Sequence, residues 1–263
     1  MHSVLGKSWH DRRRGLIGWV IGVVALVLLA IVFWPTIRDN SAFQEAFENI
    51  PDALKVFIGE DVLTSPSGYL DSRLFLFTIP ILFLIYGIGL GADAIAGEEQ
   101  RHTMDLLLSH PITRARVLLE KYAAICIGLG IQTAFLLVTT VLGVSAVDMD
   151  ISATNVAAAS IGVLLLGMHF GALAIMLSAA TGKKTISSGI TSAVAAAAYL
   201  VNSLAPQVEV LDRIRNVSAF YYASGYSPLK TGFSFGHLAV LVVTAMLFLW
   251  AAVWFFDRRD VAV

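Results

Sequence analysis

The sequence predicts an all-α, polytopic membrane protein with six transmembrane helices, and three observations carry that reading. The composition is the first: 57% of the 263 residues are hydrophobic and 14% are charged, where soluble domains run at roughly 45–50% and about 25%. The mean hydropathy is +0.76. The second is that apolar runs of about 20 residues, the length a helix needs to cross a hydrocarbon core, recur six times. The third is the pattern inside those runs. Residues 20–33 and 241–250 are almost continuously apolar, whereas strands of a membrane barrel alternate polar and apolar positions. In lipid that leaves the helix as the structure that satisfies its own backbone.

In chain order the spans are Gly15–Trp34, Leu74–Ala92, Val117–Val147, Val156–Ala180, Ile186–Ala205 and His237–Phe256. Lys7, Arg12, Arg13 and Arg14 precede the first, as in a signal peptide. Its apolar core is too long for one, and Trp34-Pro35-Thr36-Ile37 offers no small-residue cleavage site, so it reads as an uncleaved anchor. Residues 1–14, with Trp9 among the basic residues, read as an N-terminal interfacial helix. Residues 35–73 form the first external loop. In it Phe43, Phe47, Ile50, Leu54, Phe57 and Ile58 repeat at helical spacing, with a break at Pro51, as an amphipathic helix on the outer leaflet would. Pro80 and the Gly87, Gly89, Gly91 series mark where the second span would kink. Phe220, Tyr221, Tyr222 and Tyr226 between the last two spans read as an interfacial aromatic belt.

Basic residues orient the bundle. They fall in the N-terminus, in the second-to-third connection (Arg101, Arg114, Arg116, Lys121), in the fourth-to-fifth turn (Lys183, Lys184) and at the end (Arg258, Arg259). Both termini are therefore expected in the cytoplasm. The span cores carry no charge, which would cost at least roughly 2.5–3.5 kcal/mol at mid-bilayer. Lys121 lies near a span end and can snorkel to water. His169 is a lone intramembrane histidine, expected as a hydrogen-bonded interface residue rather than a metal or haem ligand. Cys126, the single cysteine, reads as a small hydrophobe.

These absences narrow the function. No nucleophile and base can be paired at depth, and the buried carboxylates and matched broken helices of ion-driven transporters do not stand out. Thr181-Gly182-Lys183-Lys184-Thr185 lacks the glycine of a phosphate loop, since Leu177 sits five residues before Gly182. The chain is thus expected to bind no cofactor and to be no enzyme. A formal net charge of −1 gives nucleic acid no basic surface.

The informative segment is residues 93–116, between the second and third spans. Gly97 marks a break, and Glu98 and Glu99 open a helical stretch. Thr103, Leu106, Leu107 and His110 then share one face at i, i+3, i+4 and i+7. Pro111 ends it, and Thr113 with Arg114 starts the third span. A short cytoplasmic helix of this kind suits docking into a cleft on a soluble partner.

These residues resemble the membrane subunits of type-2 (ABC-2) ATP-binding-cassette exporters. That family shows a Gly-Glu pair, Gly-Thr, a Leu pair, Pro, a small residue with Arg and a later Lys. Here stand Gly97-Glu98, Thr103, Leu106-Leu107, Pro111, Thr113-Arg114 and Lys121, with His102 replacing the usual glycine. Asp93-Ala94-Ile95 is similar to the subgroup that includes the permease for nitrous-oxide reductase maturation, and Phe256-Asp257-Arg258-Arg259-Asp260 to the family's ending. The resemblance implies a single transmembrane domain over 1–263 and a coupling helix whose ATPase-facing residues are Glu98, Glu99, His102, Thr103, Leu106, Leu107, Pro111 and Arg114. It implies two copies of an ABC ATPase that hold the ATP and Mg, a second permease copy or a related permease, and residence in a prokaryotic plasma (inner) membrane. The expected work is export of a hydrophobic or amphiphilic substrate. Two rivals stand beside it: an ATP-driven transmitter acting on an extracytoplasmic partner through the acidic first loop, and a non-ABC scaffold or secondary transporter.

Overall fold

The computed structural model describes residues 4–39, 65–101 and 113–259, with side chains from residue 15 onward in the first helix. The external segment 43–58 lies outside these residues. The described chain is helix and turn, without a strand. Helix α1 is Val4–Arg38, so residues 4–14 continue into the first span without a break. The second span is built in pieces: α2 (Pro66–Leu70), a π-helical turn at Asp71–Phe75, and α3 (Thr78–Asp93). A short α4 follows at Ala96–Gln100. The remaining spans are α5 (Arg114–Ala146), α6 (Ala153–Thr181), α7 (Lys184–Leu204) and, after a loop of short helices, α11 (Phe235–Arg258). That loop holds α8 (Glu209–Ile214), α9 (Ala219–Ala223) and α10 (Pro228–Thr231). Among the described residues six helical runs are long and apolar enough to cross a membrane.

The second span starts eight residues before the expected Leu74. Ser65 caps it, its Oγ accepting from the Gly68 N–H at 3.1 Å, and Pro66 occupies the first turn, where a missing N–H costs nothing. Asp71 is folded inward and buried, which is how a charged residue fits a span that the sequence reading began after it. The interruption at residues 76–77 has a cause in Pro80, which has no N–H to donate to the Leu76 carbonyl and whose ring crowds that oxygen.

Helix α6 is the centre of the bundle. Two-thirds of its apolar window (67%) is buried, against 22% for α7 and for α11. In lipid, helices associate by close packing of small residues rather than by hydrophobic burial, and α3 meets α6 that way. A Cβ on Gly87 would lie 2.6 Å from the Gly167 carbonyl oxygen, and one on Gly91 2.6 Å from that of Gly171. These glycines serve contact between backbones. Gly89 faces open space.

His169 on α6 is hydrogen-bonded as expected, Nδ1 to Thr244 Oγ1 of α11 at 2.9 Å, with Phe170 and Phe248 edge-on to the ring. The aromatic belt needs correction at Phe220. Its ring is buried and packs on Tyr199 and Phe170 at 5.4 and 6.2 Å. The Ser218 hydroxyl donates to the Ala198 carbonyl at 2.7 Å, and Gly162 leaves room for the Ala223 backbone, so α9 sinks between α6 and α7.

Gly91→Leu should destabilise the protein by about 1–3 kcal/mol through overpacking, whereas Gly89→Ala should leave it unchanged. Thermal unfolding in detergent, followed by size exclusion, checks the pair; equal melting points would contradict the packing described.

Candidate functional site

At Asp93 the chain turns and starts α4, and a side chain from α6 shapes the turn. The Ser178 hydroxyl donates to the Ala92 carbonyl and accepts from the Ala96 N–H, both at 2.9 Å. It replaces helical bonds that the turn gives up, so the buried backbone stays satisfied. The break falls at Ala94-Ile95 rather than at Gly97. Gly97 lies inside α4, where its missing Cβ makes room for the Asp93 carboxylate.

From this elbow, three acids reach the ends of three other spans. Asp93 takes Arg101 as a fork, both contacts at 3.2 Å, and Lys184 at the start of α7 at 2.8 Å. The hydrogen bond from Arg101 to Asp93, with the carboxylate's charge, raises the Arg101 pKa above its usual value. Glu98 Oε1 meets Lys121 Nζ of α5 at 2.5 Å. Glu99 binds Arg259, just past the end of α11, through both carboxylate oxygens. Arg259 also donates to the Ala179 carbonyl of α6 at 3.0 Å. Gly182 caps α6 in the left-handed conformation, φ +64°, and the Arg259–Glu99 pair fills the space where its Cβ would stand.

Arg114 closes the arrangement from the other side. Its Nη1 donates to the Phe256 and Arg259 carbonyls at 2.7 and 2.8 Å, which are among the orphan acceptors at the end of α11. The guanidinium lies 5.4 Å from the Phe256 ring centroid. Thr113 caps α5 as expected, accepting from the Arg116 N–H at 3.3 Å.

Of the residues the sequence singled out, the structure thus brings Glu98, Glu99 and Arg114 to one end of the bundle. His102, Thr103, Leu106, Leu107 and Pro111 lie outside the described residues. Lys121 is corrected: its side chain is 4% exposed and paired with Glu98, so it turns inward instead of snorkelling to water. A buried ammonium needs a partner, and Glu98 supplies it from α4. Asp93, Lys184 and Arg259 were legible as charges but not as partners. The one signal was a near balance of acidic and basic residues in the same connections. Among the described residues no group of three His, Cys, Asp or Glu could hold a metal ion. The cluster joins helix ends to one another, and nothing in it forms a nucleophile–base pair.

Six apolar helices, five of them joined at one end by ion pairs and hydrogen bonds, define a multi-pass membrane protein whose distinctive polar chemistry sits at the rim of the bundle. The family model described as ABC-2 family transporter protein matches residues 2–261, and the chain belongs to that family. It is accordingly a membrane permease component of an ABC transporter, a transport subunit of a kind that normally works with an ABC ATPase. No curated protein matches the chain significantly.

Glu98 and Lys121 should prove energetically coupled. Glu98→Ala takes from a buried ammonium its carboxylate at 2.5 Å and should cost about 3–5 kcal/mol; Lys121→Ala should cost less, since Glu98 keeps Arg101 at 3.9 Å. The double replacement should cost clearly less than the two single losses added together. A double-mutant cycle on melting temperature measures this, and strict additivity would show that the pair is not coupled.

Proposed function

We propose that this permease exports a hydrophobic or amphiphilic substrate, driven by two copies of a separate ABC ATPase that docks on the segment running from Glu98 to Arg114. One observation carries the reading: the segment is anchored at both of its ends to the same helix terminus. Glu99 holds Arg259, and Arg114 holds the carbonyls of Phe256 and Arg259. A push delivered anywhere between these anchors reaches α11 directly, α5 through Arg114 and Lys121, and α3 through the elbow. This end of the bundle is then the cytoplasmic one. The start of the first span, where Gly15 and Leu90 line one pocket, and the end of α11 at Arg258 lie toward it, which supports cytoplasmic termini. The positive-inside pattern supports the same orientation in a prokaryotic plasma membrane.

A cleft of about 530 Å³ between α3 and α7, lined by Phe77, Ile81, Leu84, Ile88, Tyr199 and Leu200, supports an apolar cargo. Helix α7 leaves Gly189, Ala193 and Ala197 exposed at i, i+4 and i+8, a small-residue face of the kind that lets helices approach in lipid. It supports a second permease chain as the partner there. Within the family, Asp93-Ala94-Ile95 supports the subgroup that includes the nitrous-oxide reductase maturation permease. Asp93 is the residue that ties Arg101 to Lys184.

Leu107→Asp puts a charge on the proposed docking face without touching the anchors. Co-expressed with its ATPase and reconstituted in vesicles, it should insert normally and lose at least about tenfold in permease-stimulated ATP hydrolysis, an interface loss of about 1.4 kcal/mol or more. Wild-type stimulation would overturn the coupling role. Coupled hydrolysis without any flux of an amphiphile from sealed vesicles would instead favour the transmitter that works on an outer partner.

A further inference from the structure

Arg73 stands at the opposite end of the second span from the ion-pair cluster, in the π-helical turn Asp71–Phe75. It lies twenty residues before Asp93, which at 1.5 Å per helical residue is roughly one hydrocarbon thickness of about 30 Å. Its guanidinium therefore sits at the far lipid boundary. The side chain is exposed and has no hydrogen-bond or ion-pair partner among the described residues. Asp71, two residues away, is buried, with one carboxylate oxygen unbonded. It does not pair with Arg73.

Beside this arginine a groove of about 400 Å³ opens between α1 and the start of the second span, lined by Leu26, Leu29, Phe33, Leu74 and Tyr69. The other polar atoms at the groove are already engaged. The Tyr69 hydroxyl donates to the Ala30 carbonyl at 2.9 Å, and the Thr78 hydroxyl donates to the Arg73 carbonyl at 2.8 Å. The groove runs into the exposed apolar face of α1, where Leu29, Val32 and Phe33 are 56%, 69% and 52% exposed. Its walls thus ask for hydrocarbon, and its one free polar group asks for an anion. At the lipid boundary anionic headgroups are within reach of a cation, and a guanidinium fork matches phosphate oxygens in two contacts.

We propose that Arg73 and the α1 groove form a binding site for one anionic phospholipid. The phosphate sits on the guanidinium, and an acyl chain lies along Leu26, Leu29 and Phe33. The lipid wedges α1 against the π-helical turn, so it props the first span at the end of the bundle that lacks the charged knot. The site stands on its own geometry and is independent of the coupling role of residues 98–114.

Native mass spectrometry of the full chain, extracted from vesicles with equal phosphatidylglycerol and phosphatidylcholine, tests the site. Phosphatidylglycerol should be retained about fivefold over phosphatidylcholine, the scale of one arginine near a charged headgroup. Arg73→Gln should abolish the preference and Arg73→Lys should keep most of it. Leu29→Trp, which fills the groove and leaves the charge, should lower retention of lipid. Equal retention of the two lipids, or an unchanged preference in Arg73→Gln, overturns the proposal. If Arg73→Gln does not accumulate, full retention by Leu29→Trp overturns it and loss supports it. Displacement of the lipid by millimolar inorganic phosphate would show a site for a free anion and overturn the lipid assignment.

Discussion

Arg259 follows the last long helix and is bound on three sides: by the carboxylate of Glu99, by the Ala179 carbonyl, and through its own carbonyl by Arg114. Glu99 is 8% exposed and Arg259 23%, so neither charge is fully solvated, and each needs the other. This junction determines where α4 can lie, and so where the chain between residues 101 and 113 must leave and return. Without it α4 would still be held by the Glu98–Lys121 pair and the Ser178 bridge, but its tie to the end of α11 would be lost. The hydrophobic spans make the bundle, and the ion pairs give one end of it a defined shape.

The two ends of the bundle are built on different principles. At the charged rim, Asp93, Glu98 and Glu99 each hold a cation from another element, and Ser178 bridges the turn. At the other rim rings and small residues meet, with Trp34 against Tyr69 at 5.1 Å and Gly162 against Ala223, alongside hydrogen bonds from Asn155 to the Leu229 carbonyl at 3.0 Å and from Arg215 to Asn202 Oδ1 at 3.3 Å. The charged rim, whose acids bind cations from other helices, is expected to move as a unit. A rim of that kind is what a coupled transporter requires if force enters there and a path opens at the other end.

Much of this was legible in the sequence, for identifiable reasons. The apolar runs fixed six spans because hydrocarbon thickness leaves little freedom in their length. The second was placed late because Ser65-Pro66-Ser67-Gly68 reads as a turn and Asp71 and Arg73 interrupt the run. In the structure the serine caps a helix, the aspartate folds inward and the arginine stays at the boundary. Glu98, Glu99 and Arg114 stood out through the family resemblance of one short segment. Their partners did not, since Lys121 and Arg259 also read as orienting charges, and a lysine beside a span is solvated by default. Glu99 and Arg259 are 160 residues apart, and no local pattern joins them. Phe220 looked like its tyrosine neighbours; only the Ser218–Ala198 bond and the notch at Gly162 separate it from an interfacial belt.

The central claim is that α4 and the end of α11 form one rigid unit through which the proposed ATPase acts. Spin labels at Gln100 and Arg258, measured by pulsed dipolar spectroscopy in the reconstituted complex without nucleotide and with trapped ATP, test it most directly. The distance within one chain should stay constant to about 2 Å, the scale of small helix shifts, while the distance between the Gln100 labels of two permease chains changes by more. A Gln100-to-Arg258 distance that changes as much as the distance between chains would contradict the account.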